Sequence, residues 1–139
     1  MEKSIILQVG VKVFLKSPEG KYLLLERSPI RYPKIKNKWD IPGGRILPGT
    51  SLLENIKREV LEETKLLVIG EPKLIAAQDI IRLPEKHIVR LTFTAMINGK
   101  PRLDGDHLGY KWVTLEEMKR LKNLDEFTRE ILERDSSQF

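Results

Sequence analysis

The stretch Gly44-Arg45-Ile46-Leu47-Pro48-Gly49-Thr50-Ser51-Leu52-Leu53-Glu54-Asn55-Ile56-Lys57-Arg58-Glu59-Val60-Leu61-Glu62-Glu63 decides how this chain is read. A turn that begins at Gly43-Gly44 leads into an amphipathic helix. That helix carries three carboxylates, Glu59, Glu62 and Glu63, at i, i+3 and i+4, a spacing that places all of them on one helical face. The apolar residues Leu52, Leu53, Ile56 and Val60 lie beside them at helical spacing, so the acids run along the edge of the buried stripe. The i±4 neighbours of Glu59 and Glu63, apart from each other, are Asn55 and Leu67, so neither acid gains a basic partner there. A solvated face would interleave its charges. Unpaired acids so clustered repel by roughly 0.2–0.5 kcal/mol per pair. A hard divalent cation that seeks clustered oxygen ligands turns that repulsion into a binding site.

The start of the helix is written locally. Ser51 and Glu54 have the spacing of a capping box, with Thr50 as a competing cap. Gly43 and Gly44 let the backbone approach a ligand closely, and a glycine-rich turn before a helix offers N–H groups to phosphate.

Composition bounds the rest. A chain of 139 residues with no cysteine reads as one domain, residues 1–139, without a disulfide, a thiol nucleophile or a cysteine-zinc site. No apolar run has membrane-spanning length, and Met1–Leu7 lead into strand-like sequence without a signal-peptide pattern, so the expected location is cytoplasmic and no membrane partner is expected. The formal net charge of +5 favours anionic ligands. Alternation and turn residues predict strands over 5–16, 21–26, 39–41, 73–83, 87–97 and 110–113, the second folding back on the first as a hairpin. A basic, proline-containing loop covers 28–38. Thr114 and Asp125 are the expected caps of helices over 115–121 and 126–134. Strands with helices on both sides define an α/β fold, an α/β/α sandwich around a mixed β-sheet.

The quoted stretch resembles the signature of the Nudix hydrolases, G-x5-E-x7-R-E-U-x-E-E-x-G-U with U aliphatic. Gly44 is the first glycine, Arg58-Glu59-Val60-x-Glu62-Glu63 matches the centre position for position, and Leu66 is the final aliphatic residue. Two positions depart from it: Thr50 stands where a glutamate is expected, and Lys65 where a glycine ends the helix. A lysine in a left-handed cap costs on the order of 1 kcal/mol. The resemblance implies the same sandwich fold, Mg²⁺ or Mn²⁺ as cofactor, and hydrolysis of a pyrophosphate bond in a nucleoside diphosphate derivative.

It also implies roles residue by residue. Glu59 and Glu63 are expected as direct metal ligands and Glu62 as a further ligand, directly or through water. Arg58 is expected to orient Glu59. The base that activates water is one of the glutamates or Asp106, the acid six residues before Trp112, with Asp104 and His107 as neighbours that can substitute for it. Similarity outside the signature is to MutT-type members. Leu24-Leu25-Glu26-Arg27 makes Arg27 the candidate phosphate contact, and Trp39-Asp40-Ile41-Pro42-Gly43-Gly44 makes Gly43, Gly44 and Trp39 substrate-binding candidates, Trp39 by stacking on a base or else as a core residue. The first-choice substrate is a nucleoside triphosphate, giving a nucleoside monophosphate and pyrophosphate. The marks that some members carry for ADP-ribose or dinucleoside polyphosphates are replaced at their usual offsets by Ile81 and Arg82. The alternative reading is a catalytically weak Nudix module that binds nucleotide or RNA through Lys34, Lys36 and Lys38, with RNA the less favoured partner. The sequence is compatible with a homodimer without assigning an oligomeric state.

Overall fold

Strand periodicity builds two cores from one sheet in the computed structural model, which describes residues 4–134 and 136–139. Of the expected N-terminal segment, Met1–Lys3 therefore lie outside the described residues. The elements are β1 (Ile6–Lys16), β2 (Tyr22–Arg27), β3 (Trp39–Asp40), β4 (Gly43–Arg45), α1 (Leu52–Thr64), β5 (Ile69–Ile80), β6 (Lys86–Met96), β7 (His107–Val113), α2 (Leu115–Arg120) and α3 (Glu126–Leu132), followed by a 3₁₀ turn at Ser136–Gln138. Along β1 and β2, Val11, Val13, Leu15, Leu23 and Leu25 face one way and pack under Ile56 and Val60 of α1. Phe14, Tyr22 and Leu24 face the other way, under Met118 of α2 and Ile131 and Leu132 of α3. Phe139 closes this second core edge-on against Phe14, ring centroids 4.7 Å apart. The result is the α/β/α sandwich expected from the sequence.

The sheet is mixed. β1 and β6 run parallel from Ile6↔Lys86 to Lys16↔Met96, whereas β5–β6 and β2–β7 are antiparallel. β5 begins four residues before the expected 73, its pairing with β6 broken by register shifts between Ile69 and Lys73 and between Leu74 and Ala76. Those irregularities erase the period-two signal.

The expected hairpin between the first two strands is corrected by the structure. β1 and β2 pair only at Lys16↔Tyr22 and then diverge. Because β6 occupies the whole of one edge of β1, and β7 one edge of β2, the segment 39–45 fills the fork between them. Its β3 half pairs with β2 at Leu25↔Asp40 and Glu26↔Trp39, and its β4 half pairs with β1 at Lys12↔Gly43 to Gly10↔Arg45. This wedge opens the sheet and leads directly into α1. No helix among the described residues is long and apolar enough to cross a membrane.

Helix ends follow the sequence closely. Thr114 and Glu117 complete a reciprocal capping box on α2, and Asp125 accepts from the N–H groups of Phe127 and Thr128 on α3. At α1 one half of the expected box forms: Ser51 Oγ accepts from the Glu54 N–H at 3.1 Å. Thr50 does not compete as a cap. Its hydroxyl donates to Leu47 O and accepts from Asn55 Nδ2, bracing the turn before the helix. Lys65 sits in the left-handed region at φ 63°, ψ 20°, its N–H bonded to Leu61 O, which is the strained cap the sequence implied. Replacing it with glycine relieves the Cβ contact of that conformation. Lys65→Gly is expected to raise unfolding stability by about 1 kcal/mol, read as a higher urea midpoint at unchanged slope; an unchanged or lower midpoint contradicts the assignment of strain.

Candidate active site

The fork between β1 and β2, the acidic edge of α1, and the loops 28–38 and 104–107 enclose a cleft of about 570 Å³. The helix reaches it because the turn from β4 into α1 is held from inside. Asn55, almost fully buried, accepts from the Leu47 N–H at 2.9 Å and from Arg58 Nη2 at 2.9 Å, and donates to Ser51 O. Arg58 extends the same network: its Nη2 also donates to Arg45 O at 3.1 Å, and its Nη1 to Glu59 Oε1 at 2.9 Å. Arg58 thus ties helix to strand and fixes the neighbouring acid, as the sequence implied.

The three acids of α1 all line the cleft in different settings. Glu59 is 13% exposed and lies over Gly44, where a Cβ would fall 2.7 Å from Glu59 Cδ. Glu63 is 9% exposed and accepts from the Gly43 N–H at 2.9 Å through Oε1. Glu62 stands at the rim, 58% exposed, 3.4 Å from Arg58 Nη1. Gly43 has φ 144°, and a Cβ there would stand 2.0 Å from Val11 O. Only glycine allows that approach of β4 to β1.

Burial pushes the Glu63 carboxyl up to about 8, against Lys12 and the Gly43 N–H and with the help of Glu59 and Asp104. Burial also pushes Glu59 up, against Arg58. Two neighbouring carboxyls in this condition need a counter-charge to ionise together. Oxygen donors with that need fit a hard divalent cation, which Glu59 and Glu63 would hold.

The cleft floor carries a charge cluster that sequence reasoning missed. Asp40, buried, lies 3.0 Å from Lys12 Nζ, bonds Arg27 Nη2, accepts from the Thr128 hydroxyl at 2.5 Å and meets Arg90 Nη2 at 3.5 Å. Asp125 joins through Arg27 at 3.2 Å and Arg90 at 3.2 Å. Burial drives the Asp40 carboxyl up, but Lys12, Arg90, Arg27 and the Thr128 hydrogen bond overcome it and hold it far below the usual carboxylate range. Three cations against two carboxylates leave one positive charge in excess. Arg27 and Asp125 alone lie 98 positions apart, and no sequence period connects the cluster. The available signals were single basic residues flanked by apolar ones, Lys12 between Val11 and Val13 and Arg90 between Val89 and Leu91.

Other expectations fare unevenly. Arg27 lines the cleft but is committed to Asp40 and Asp125. Asp106 lies at the mouth, 46% exposed, 3.6 Å from Arg31 Nε. Asp104 and His107 instead gather with Glu63, their ligand atoms all within 4.8 Å of one another. Trp39 does not line the cleft. Strand alternation sends Asp40 toward the cleft and Trp39 away from it, to pack on the second core with Lys111 Nζ 4.3 Å from its ring centroid.

A family model for the NUDIX domain matches residues 6–135. The chain belongs to the NUDIX domain family. A Bacillus subtilis (strain 168) protein, provisionally named 8-oxo-dGTP diphosphatase, is 32% identical over 106 residues, 76% of this chain and 65% of that protein. A Mycobacterium tuberculosis (H37Rv) protein, provisionally named 8-oxo-dGTP diphosphatase 2, is 29% identical over 64% of this chain and 62% of its own length. The chain thus matches a little under two thirds of the length of these curated relatives. Among solved structures, the MutT protein of Methanosarcina mazei Go1 superposes with a TM-score of 0.79 at 29% identity, covering 96% of this chain and 94% of that one. A MutT NUDIX hydrolase of Burkholderia pseudomallei, TM-score 0.75 at 24% identity over 92% and 97% of the two chains, shares the fold.

The raised Glu63 carboxyl has a measurable consequence. Unfolded, it titrates near its ordinary 4.5; folded and metal-free, near 8. Between these values the folded state holds the extra proton, so the stability this group contributes is complete below the lower value and is lost as pH rises through the higher. Glu63→Gln removes that loss. In the presence of chelator, the urea midpoint of Glu63→Gln minus that of the wild type is expected to grow from about pH 5 to about pH 8.5; a difference independent of pH contradicts the burial assigned to Glu63.

Proposed function

We propose that this chain hydrolyses the pyrophosphate linkage of a nucleoside triphosphate, giving a nucleoside monophosphate and pyrophosphate, with Glu59 and Glu63 holding a divalent cation, Mg²⁺ or Mn²⁺. The observation that carries this reading is a single cleft that sets two buried, cation-demanding carboxyls opposite a floor with one excess positive charge. Triphosphate is a polyanion that repels both hydroxide and the acids of the site, so both kinds of group are needed to bind it. Family membership and the names of the relatives support the reaction class. Those names also make 8-oxo-dGTP the first oxidised substrate to test.

When bound, the cation neutralises phosphate oxygens and lowers the pKa of a coordinated water. The protein's own groups supply the rest. Lys12, 19% exposed, presents its ammonium at the cleft floor, while Arg27 and Arg90 act through the excess charge of their cluster, their Nη groups being engaged by Asp40, Asp125, Thr128 and Asn37 O. Gly43 and Gly44 line the cleft wall, where their missing side chains admit β1 and the Glu59 carboxylate. Arg58 holds Glu59 Oε1, leaving this carboxylate oriented to take the proton from the attacking water. Water oxygen forms the new bond to phosphorus, the bridging P–O bond breaks, and its electron pair leaves with the pyrophosphate. Asp106 lies at the mouth of the same cleft beside Arg31, which supports a role in the approach of the substrate.

The test is pyrophosphate and phosphate release from the common and oxidised nucleoside triphosphates, ADP-ribose, diadenosine polyphosphates and nucleotide sugars, with Mg²⁺ or Mn²⁺. Triphosphates are expected to turn over to monophosphate plus pyrophosphate. Glu59→Gln and Glu63→Gln are each expected to lower kcat by about 100-fold or more. Equal rates in wild type and variants, or metal-dependent nucleotide binding without turnover across the panel, would overturn the proposal, the latter in favour of a binding module.

A further inference from the structure

The Glu63, Asp104 and His107 side chains form a centre that the signature acids do not account for. Each of its two buried members has one atom fixed and one atom free. Glu63 Oε1 accepts from the Gly43 N–H, which leaves Oε2 without a hydrogen bond. His107, 7% exposed, has Nδ1 2.8 Å from Asp104 Oδ1. An ionised carboxylate can only accept, so Nδ1 donates to it, and the neutral form of the imidazole then has its lone pair on Nε2. The free atoms face one another, Nε2 and Oε2 being 3.9 Å apart. That distance is too long for a hydrogen bond. The gap between the two atoms has room for one shared cation. The carboxylate behind the imidazole is the arrangement that orients a metal-ligating histidine and raises its basicity. Ligand atoms sharing one tetrahedral first-row ion are about 3.4 Å apart, so a closure of about half an ångström completes the pair.

We infer that His107 Nε2 is a nitrogen ligand to the cation held by Glu63, with Asp104 as its positioning residue. This rests on the metal reading of the proposed function and deepens it. Imidazole suits first-row transition ions, whereas Mg²⁺ takes oxygen and water. The centre therefore binds Mn²⁺, and Zn²⁺ or Co²⁺ still more tightly, in preference to Mg²⁺. Neither residue belongs to the helix signature; both come from the loop and strand start at 104–107, which the fold lays against α1.

The experiment is electron spin echo spectroscopy on the full chain loaded with Mn²⁺ alone, supported by Mn²⁺ titration with Mg²⁺ as competitor. Wild type is expected to show ¹⁴N modulation from one imidazole. His107→Gln is expected to bind Mn²⁺ about 10–100-fold more weakly, without the modulation and with its Mg²⁺ affinity little changed. Asp104→Asn, a milder change, is expected to weaken Mn²⁺ binding in the same direction. The chain's other histidine, His87, is paired with Asp79 on the surface, and His87→Gln is expected to keep the modulation. Mn²⁺ bound by wild type with no ¹⁴N modulation, or modulation that survives His107→Gln, would overturn the inference while leaving the glutamate site intact. A protein that leaves all added Mn²⁺ free would overturn both.

Discussion

The hydrogen bond from the Gly43 N–H to Glu63 Oε1 is the point on which the site depends, because it joins the strand that forks the sheet to the helix that carries the acids. It forms only because β4 lies against β1 so closely that a side chain at residue 43 would overlap Val11 O. One residue on, the missing side chain of Gly44 is the space that the Glu59 carboxylate occupies. Both glycines are therefore fixed by close approach. Turn flexibility is the lesser part of their role. Burial at this junction is what pushes the Glu63 carboxyl up in the metal-free protein, the Gly43 N–H itself acting in the opposite direction.

Opposite this junction, the Asp40 cluster does two things. It ties β1, β2, β3, β6 and α3 together through Lys12, Arg27, Asp40, Arg90, Asp125 and Thr128. A buried ion network of this kind is weak evidence for stability, since desolvation offsets most of the attraction. Its second effect matters more for the chemistry. With three cations to two anions, the floor keeps a positive potential in a place where low dielectric makes it felt. The α1 edge demands positive charge and the floor offers it, the two features on which the proposed metal–triphosphate reading rests.

The local features were legible in the sequence and the long-range ones were not. The acid spacing on α1 and the caps at Thr114 and Asp125 are set within a few residues, so local geometry alone recovers them, whereas the Arg58–Glu59 contact was expected from the resemblance. The cost at Lys65 was legible for the same reason. The hairpin failed because the wedge 39–45 takes the edge of β1 that the second strand was expected to occupy, a competition no single segment reveals. For Trp39 both a stacking and a core role stayed open, because the sequence shows an aromatic ring beside the glycines but not which face of a two-residue strand it takes. Asp104 and His107 were visible only as neighbours of Asp106. What separates them is depth: Asp106 stops at Arg31 near the surface, while His107 reaches Glu63.

The proposed cation site lies between the buried end of α1 and the glycine junction. Paramagnetic broadening of backbone amide signals during titration of the metal-free protein with Mn²⁺ maps the ion without substrate or turnover. The first signals lost are expected to be those of Gly43, Gly44, Glu59 and Glu63 together with the 104–107 segment. First losses among exposed acids elsewhere, such as Glu116 or Glu130 on α2 and α3, with the Gly43 and Gly44 signals unaffected, would contradict it.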